Sequence, residues 1–121
     1  MTTQEIATMV ASIGLPYAYY QFPEGTGTEP PFICFMYTGD RDFKADGKNY
    51  QKIEHLVIEL YTDNKDFALE ATVEGVLDAN GMVWTRGEEW LDSEKMCMVV
   101  YGMDVVITED TNNTEVSTNG E

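Results

Sequence analysis

The chain has 121 residues and a formal net charge of −15, which is extreme for this length. The length predicts one domain with its own hydrophobic core, and a hydrophobic fraction of 43% excludes a chain that is disordered throughout. Because so acidic a surface repels phosphate backbones and anionic membranes, we expect neither specific nucleic-acid binding nor membrane binding.

The first residues, MTTQEIATMVASIGLP, predict an amphipathic helix rather than a secretion signal. Thr2 and Glu5 have the spacing of a capping box, and apolar residues then recur at helical spacing. Gly14 and Pro16 favour a helix end, so we expect the helix over about Thr3–Ile13. The start lacks positive charge, and no stretch reaches about 18 apolar residues. We therefore expect a cytoplasmic location.

Three strands are predicted between the first helix and the second. They are the aromatic segment 17–22, the run FICFMY at 32–37 and the run YQKIEHLVIELYT at 50–62. In the third strand, one face carries Leu56, Ile58 and Leu60, and the other carries His55, Val57, Glu59 and Tyr61. Pro23–Pro31 has the composition of a loop.

A second helix is predicted after Thr62. Asp63 or Asn64 is expected to cap it, because either side chain can accept a hydrogen bond from an early helical N–H. Its buried stripe is expected to consist of Leu69, Val73, Val76 and Leu77. After Asn80–Gly81, two further strands are predicted at 82–85 and 95–107, joined through the connection RGEEWLDSE.

The order of these elements predicts an α+β domain over residues 1–108. Short links between consecutive strands favour one antiparallel sheet with two helices packed on one face. The polar segment 109–121 is predicted to be a disordered tail. Cys34 and Cys97 lie in apolar strand contexts, so we expect two reduced core residues, with a strand-to-strand disulfide as the alternative.

The stretch DRDFKADGKN at 40–49 is similar in composition to a calcium-binding loop. An EF-hand loop takes ligands from its first, third and fifth positions and a glutamate from its twelfth. A loop that starts at Asp42 has Lys44 in the third position and Ile53 in the twelfth. A frame that starts two residues earlier also lacks ligands where they are needed. We therefore expect no metal site here.

The same stretch does not fit a phosphate-binding loop. Such a loop needs G-x-x-x-x-G-K-[ST] between a strand and a helix, whereas Gly47–Lys48 is followed by Asn49 and a strand. We expect instead a projecting hairpin arm that turns at Asp46–Gly47, with no cofactor.

No catalytic constellation is apparent, and we predict that the chain is not an enzyme. His55 is the only histidine, and no nucleophile motif accompanies it. The last connection carries an acidic cluster that is typical of a solvated surface: Glu88, Glu89, Asp92 and Glu94. Trp90 lies in the same connection and is a candidate contact residue, because tryptophan is enriched in binding hot spots.

Five motifs follow one another in an order that is more specific than any one of them. They are LP-x-x-Y after the first helix, PPFI in a strand, AD-x-x-x-Y at the hairpin turn, ELYT-x-x-KD before the second helix, and a late W-x-x-SEK. Over about Ile6–Val106 the chain resembles a family of small virion-morphogenesis proteins. These are encoded in the head–tail module of tailed phages and prophages of Gram-positive bacteria.

The resemblance implies a phage tail-terminator-like fold that assembles as a ring, commonly a hexamer, without enzyme activity. The ring would cap the tail tube and present a surface to the head. The implied partners are other copies of the chain, the tail tube protein and a head-completion or connector protein. The implied locations are the cytoplasm of the bacterial host during assembly and the virion. Tail terminator, tail-to-head joining and tail-completion roles all remain open.

A ring of acidic copies needs cations at its contacts, since like charges repel. We therefore predict interaction residues in and near the hairpin, together with the exposed tryptophan. They are Arg41, Asp42, Phe43, Lys44, Lys48, Lys52 and Trp90.

The alternative is an acidic DNA mimic or inhibitor that binds a basic nucleic-acid-handling protein. It predicts carboxylates that are spaced like phosphates on one face. A small enzyme is the least favoured reading.

Overall fold

The computed structural model describes residues 1–22, 28–40, 43–45 and 48–108, with side chains for all of these except 40, 43–45 and 48–51. The helices are α1 (Thr3–Ala11) and α2 (Phe67–Ala79). The strands are β1 (Tyr17–Tyr19), β2 (Phe32–Asp40), β3 (Phe43–Ala45), β4 (Lys48–Thr62), β5 (Thr85–Leu91) and β6 (Met96–Ile107). Neither described helix is long and apolar enough to cross a membrane. The predicted tail, 109–121, lies outside the described residues, so its disorder and the domain limits stay predictions.

Five strands form one sheet in the order β1-β2-β4-β6-β5, and β3 pairs only with the start of β4. The longest ladder joins β4 to β6 antiparallel, from Lys52 opposite Ile107 to Thr62 opposite Cys97. The α+β class is confirmed. At one edge the sheet is mixed, because β1 runs parallel to β2. The connection between these two strands is about a dozen residues long, which is enough for a crossover.

Both helices pack on the same side of the sheet, as predicted, and the hydrophobic core lies between them and the strands. The helices contribute Ile6, Met9, Val10, Val73 and Leu77. The strands contribute every second residue, among them Ile33, Phe35, Leu56, Ile58, Leu60, Val99, Tyr101 and Met103. We call this side the helix face. The alternation predicted for β4 is therefore confirmed, since its three aliphatic residues on that face are fully buried.

The predicted capping box closes the start of α1. The Thr2 hydroxyl accepts from the Glu5 backbone N–H at 3.0 Å, and the Thr2 N–H donates to the Glu5 carboxylate at 2.8 Å. These bonds satisfy two backbone N–H groups that the helix itself leaves unpaired. The helix ends at Ala11, two residues before the predicted end. Gly14 follows with φ 92°, a conformation that glycine adopts without strain.

The cap of α2 differs from the prediction. Asp66 is the N-cap, and its carboxylate accepts from the Leu69 backbone N–H at 2.9 Å. The prediction of Asp63 or Asn64 is wrong, because the helix begins later, at Phe67. Any of the three side chains could supply the oxygen, so local chemistry did not select among them.

The region before β6 also differs from the prediction. Residues 82–84 are not in a strand, and most of the predicted connection forms β5 instead. This strand pairs with β6 from Thr85 opposite Gly102 to Leu91 opposite Met96. Its sequence, TRGEEWL, has a weak strand propensity, and pairing with β6 outweighs that preference. β5 is an edge strand, where charged side chains are common because they discourage unwanted pairing.

Candidate interaction surfaces

The predicted hairpin is present in the described backbone. β3 pairs antiparallel with the start of β4, from Phe43 opposite Gln51 to Ala45 opposite Lys48. β4 pairs with β6 only from Lys52 onward, so the hairpin extends beyond the ladder of the main sheet. The predicted turn, 46–47, lies outside the described residues.

The structure places the predicted interaction residues in two separate regions. Arg41 and Asp42 lie outside the described residues. Phe43 and Lys44 are in β3 and Lys48 begins β4, where only the backbone is described. The roles predicted for these five residues therefore stay predictions.

Lys52 and Trp90 lie at opposite ends of the sheet. The Lys52 side chain is 54% exposed, and its Nζ is 3.2 Å from a Glu54 carboxylate oxygen. Trp90 is 50% exposed and lies opposite Cys97, which itself pairs with Thr62 at the far end of β4. Lys52 and Thr62 are separated by ten residues of extended strand, or roughly 30 Å. Trp90 and the hairpin therefore cannot form one contact site on a single subunit.

A charged cluster joins α2 to β5 on the helix face. The Glu70 carboxylate is 2% exposed, and both of its oxygens lie 2.9 Å from Lys65 Nζ. Arg86 Nη1 lies 3.2 Å from the same carboxylate and 3.2 Å from Glu74. Lys65 also contacts Glu88 at 2.6 Å, and this bond lowers the pKa of the Glu88 carboxyl. Lys65 and Arg86 thus compensate the negative charge of Glu70, which burial would otherwise make unfavourable.

Sequence reasoning missed this cluster. The stripe predicted for α2 contained aliphatic residues only, whereas Glu70 shares the same helical face as Val73 and Leu77. The position of Glu70 on this apolar face was the one sign of the cluster in the sequence. Its partners come from a loop before the helix and from β5, and no local pattern links them. The cluster is therefore a product of tertiary packing.

The acidic connection predicted as a solvated surface is exposed in the structure. Glu88 and Glu89 lie on β5 with their side chains on opposite faces of the sheet, since neighbouring strand residues alternate. Asp92 and Glu94 follow in the turn before β6, and Lys95 Nζ lies 3.4 Å from Asp92.

The second side of the sheet, the open face, carries neither described helix. Its described apolar side chains include Phe32, Cys34, Met36, Ile53, Val57, Tyr61, Leu91, Met96, Met98, Val100 and Val106. None of them belongs to the hydrophobic core cluster of the helix face. Most are half-buried, Phe22 from the segment after β1 packs edge-on against Phe32, and Val106 is 41% exposed.

The two cysteines lie on different faces. Cys34 is on the open face and Cys97 on the helix face, and both are buried and free. The prediction of two reduced, buried residues is confirmed, and the alternative of a disulfide between them is wrong. Burial and the nearby Glu59 carboxylate raise the pKa of the Cys34 thiol.

Glu59 lies near the middle of the open face, on the central strand β4. Its cross-strand neighbours are Cys34 on β2 and Val100 on β6. The Tyr61 hydroxyl donates to its carboxylate at 2.7 Å. Burial and this hydrogen bond raise the pKa of Tyr61. The sequence placed Glu59 on this face correctly but did not single it out.

A histidine–aspartate pair lies nearer the hairpin end of the open face. His55 Nδ1 is 2.9 Å from an Asp104 carboxylate oxygen. The imidazole lies over Gly102, where a Cβ atom would come within 3.2 Å of Nε2. The glycine therefore makes room for the ring. Among the described residues no group of three or more His, Cys, Asp or Glu side chains could hold a metal ion.

Charge is distributed unequally between the two faces. On the open face, the described side chains of the strands include three carboxylates, from Glu59, Glu89 and Asp104, and neither lysine nor arginine. The four cations with described side chains all contact carboxylates of their own chain. They are Lys52, Lys65, Arg86 and Lys95.

The sequence matches no protein-family model, and no curated protein matches it. Its fold is similar to that of a chain in a solved structure described as the virion of a native gene transfer agent (GTA) particle. The two chains superpose with a TM-score of 0.59 over 87% of each, at 12% sequence identity. The similarity therefore shows a shared fold.

Proposed function

We propose that this chain is a structural virion-morphogenesis protein that forms a ring at the head–tail junction, as a tail terminator or tail-to-head joining subunit. The observation that carries the proposal is the fold shared with a GTA virion chain over 87% of both chains. The order of the five sequence motifs supports the same assignment. No catalytic role is part of the proposal.

In this proposal each subunit contacts other copies around the ring, commonly six in number. The ring contacts the tail tube protein on one side and a head-completion or connector protein on the other. Assembly takes place in the cytoplasm of the bacterial host, and the finished ring is part of the virion.

The hairpin is the proposed contact between subunits. Each copy carries a net charge of −15, so contacts between copies need basic side chains. The four cations with described side chains are already bound to carboxylates within the chain. The other three, Arg41, Lys44 and Lys48, belong to the segment that forms the hairpin. Because this hairpin extends beyond the main ladder, it is suited to reach a neighbouring copy.

A pair of matched double variants tests this contact. Phe43→Ala/Lys44→Glu changes the hairpin, whereas Phe67→Ala/Lys95→Glu makes the same chemical changes at the other end of the sheet, where Phe67 is 73% exposed. We expect native mass spectrometry across concentration, with and without isolated tail tubes, to detect rings for the wild type and the Phe67/Lys95 variant. The hairpin variant should remain monomeric with an unchanged circular dichroism spectrum.

Two results would contradict the proposal. If the hairpin variant assembles as well as its matched control, the hairpin is only a connection and the ring must form elsewhere. A phage that lacks this gene and still yields normal infectious particles would falsify the virion role itself. Salt-sensitive binding to a basic nucleic-acid-handling protein, without ring formation, would instead support the DNA-mimic alternative.

A further inference from the structure

Within the part of the chain that the structure describes, neither helix gives the open face the second layer that a sheet normally packs against. A sheet with an apolar face is usually covered by helices or by another sheet. Here α1 and α2 cover the helix face, and neither of them reaches the other side. The half-buried side chains of Met36, Val57, Met98 and Val100 therefore form an apolar surface across β2, β4 and β6.

Glu59 makes this surface selective for a positively charged partner. An apolar setting makes an uncompensated carboxylate unfavourable, and its charge already raises the pKa of the neighbouring Cys34 thiol. The Tyr61 hydroxyl occupies one of roughly four acceptor positions on the carboxylate. A lysine or arginine placed here would bind the same carboxylate with a charge-assisted hydrogen bond. Glu89 and Asp104 extend the negative field toward β5 and the hairpin end.

A second copy of the chain is a poor occupant for this face. Every described lysine and arginine side chain of the copy already contacts a carboxylate of its own chain. The proposed ring uses the other three cations, Arg41, Lys44 and Lys48, at the hairpin contact, and the copy would bring its own charge of −15. The complementary partner is a protein segment of opposite charge with apolar side chains beside its cations. A helix is about 10 Å wide and spans two strands about 4.8 Å apart, so one helix covers β4 and β6.

We propose that the open face is a docking surface for a basic amphipathic helix of another protein. Glu59 binds a lysine or arginine of that helix, and Val57, Met98 and Val100 contact its apolar stripe. This inference goes beyond the proposed ring, because it assigns a second surface that does not include the hairpin and names the chemistry of its partner.

A synthetic peptide provides a defined probe. It consists of about 18 residues of leucine and lysine, patterned as an amphipathic helix, and its control replaces each lysine with glutamate. The full chain, labelled with nitrogen-15, is titrated with each peptide at about 0.15 M salt, where diffuse attraction is screened. We expect the lysine peptide alone to bind, with the largest amide shifts at Val57, Glu59 and Val100.

Charge-matched variants separate a specific site from general attraction. Glu59→Gln/Glu89→Gln removes two carboxylates from the open face, and Glu29→Gln/Asp63→Asn removes two exposed ones from loops. We expect the first pair to weaken binding of the lysine peptide about tenfold, and the second pair to change it less than about twofold. Val57→Thr keeps the side-chain shape and all charges, and should weaken binding about threefold through lost apolar contact.

Four outcomes would overturn the inference. Equal weakening by both charge-matched pairs would mean diffuse attraction to an acidic protein. Shifts confined to the helix face would place the peptide elsewhere. Equal binding of the glutamate peptide would remove the role of Glu59. Concentration-dependent self-association in sedimentation experiments that Val57→Thr weakens would make a second copy the occupant of this face.

Discussion

The two faces of the sheet are built from the same strands, yet they have different environments. On β4, Ile58 is fully buried beneath the helices, whereas its neighbour Val57 is only half-buried on the open face. The carboxylates differ in the same way. Glu70 on the helix side contacts two cations, while the described hydrogen bond of Glu59 comes from a neutral tyrosine hydroxyl.

We infer from this difference that the helix face contributes mainly to stability and the open face mainly to recognition. A side chain that is buried and compensated inside the subunit contributes mainly to the free energy of unfolding. A half-buried apolar residue contributes less to the free energy of unfolding. It still has apolar surface that a partner can bury, and the spare acceptor positions of a neighbouring carboxylate can bind a cation of that partner. We therefore expect substitutions on the helix face to unfold the protein and those on the open face to impair binding.

The largest effect is expected from a pair of core and surface truncations on β4. Ile58→Ala should lower the free energy of unfolding by about 2–5 kcal/mol, because it leaves a cavity beneath the helices. Val57→Ala should lower it by about 1 kcal/mol or less, since its methyl groups are already partly in water. Urea denaturation measures both. Equal losses would show that the open face is covered as completely as the helix face.

The two glutamates give the next largest contrast. Glu70→Ala should destabilise the protein by about 2–3 kcal/mol, somewhat below the usual loss for a broken buried ion pair, because Lys65 and Arg86 keep Glu88 and Glu74 as partners. Glu59→Gln should change stability by about 0.5 kcal/mol or less, because the amide oxygen still accepts from Tyr61. A larger loss for Glu59→Gln in urea denaturation would mean that the open face holds the subunit together.

Alkaline pH tests the tyrosine on each face. Tyr101 on the helix face donates to Glu74, and Tyr61 on the open face donates to Glu59. Burial and these bonds raise both pKa values above the usual 10.0. The folded protein then holds more protons than the unfolded chain, so the stabilisation is complete below pH 10 and is lost as the pH rises further.

The expected slope is about 1.4 kcal/mol per pH unit for each tyrosine at its steepest. Denaturant midpoints between about pH 9 and 11 measure this slope. Tyr61→Phe and Tyr101→Phe should each remove the contribution of one tyrosine to it. If neither substitution flattens the pH dependence of stability, the loss of stability at alkaline pH originates in other groups. Only the Tyr61 variant should also alter binding of the lysine peptide.

The smallest effect is expected at acid pH, from the exposed part of the charged cluster. The Lys65 contact lowers the pKa of Glu88 below its usual 4.5, so its contribution is present above that pH and is lost as the pH falls through the lower folded value. Lys65→Met should reduce the acid-range loss of stability, while Lys95→Met, an exposed cation in the turn, should leave it unchanged. Thermal melts between about pH 3 and 6 measure both.

Elements with a strong local signal were predicted well from the sequence. The capping box at Thr2 and Glu5 located the start of α1, and the alternation in β4 assigned its residues to the correct faces. The turn residues Asp46–Gly47 likewise predicted a hairpin arm, which is present as the pairing of β3 with the start of β4, although no strand was predicted over 43–45. Each of these signals depends on residues that are close together in the chain.

Features that depend on distant residues were not predicted. β5 becomes a strand because β6 offers it a pairing edge, although its own residues favour a solvated connection. The cluster around Glu70 unites residues from a loop, a helix and a strand. Of the predicted contact residues, Lys52 lies beside the hairpin, but Trp90 lies at the other end of the sheet.

The sequence by itself determined the fold class, the position of both helices and which residues of β4 share a face, because helical and strand periods are properties of neighbouring residues. Only the tertiary structure decided which face the helices cover, where the described cations are bound and that Glu59 lies within an apolar surface that neither described helix covers. Those properties depend on strand order and on contacts across the fold, which the spacing of residues along the chain does not contain.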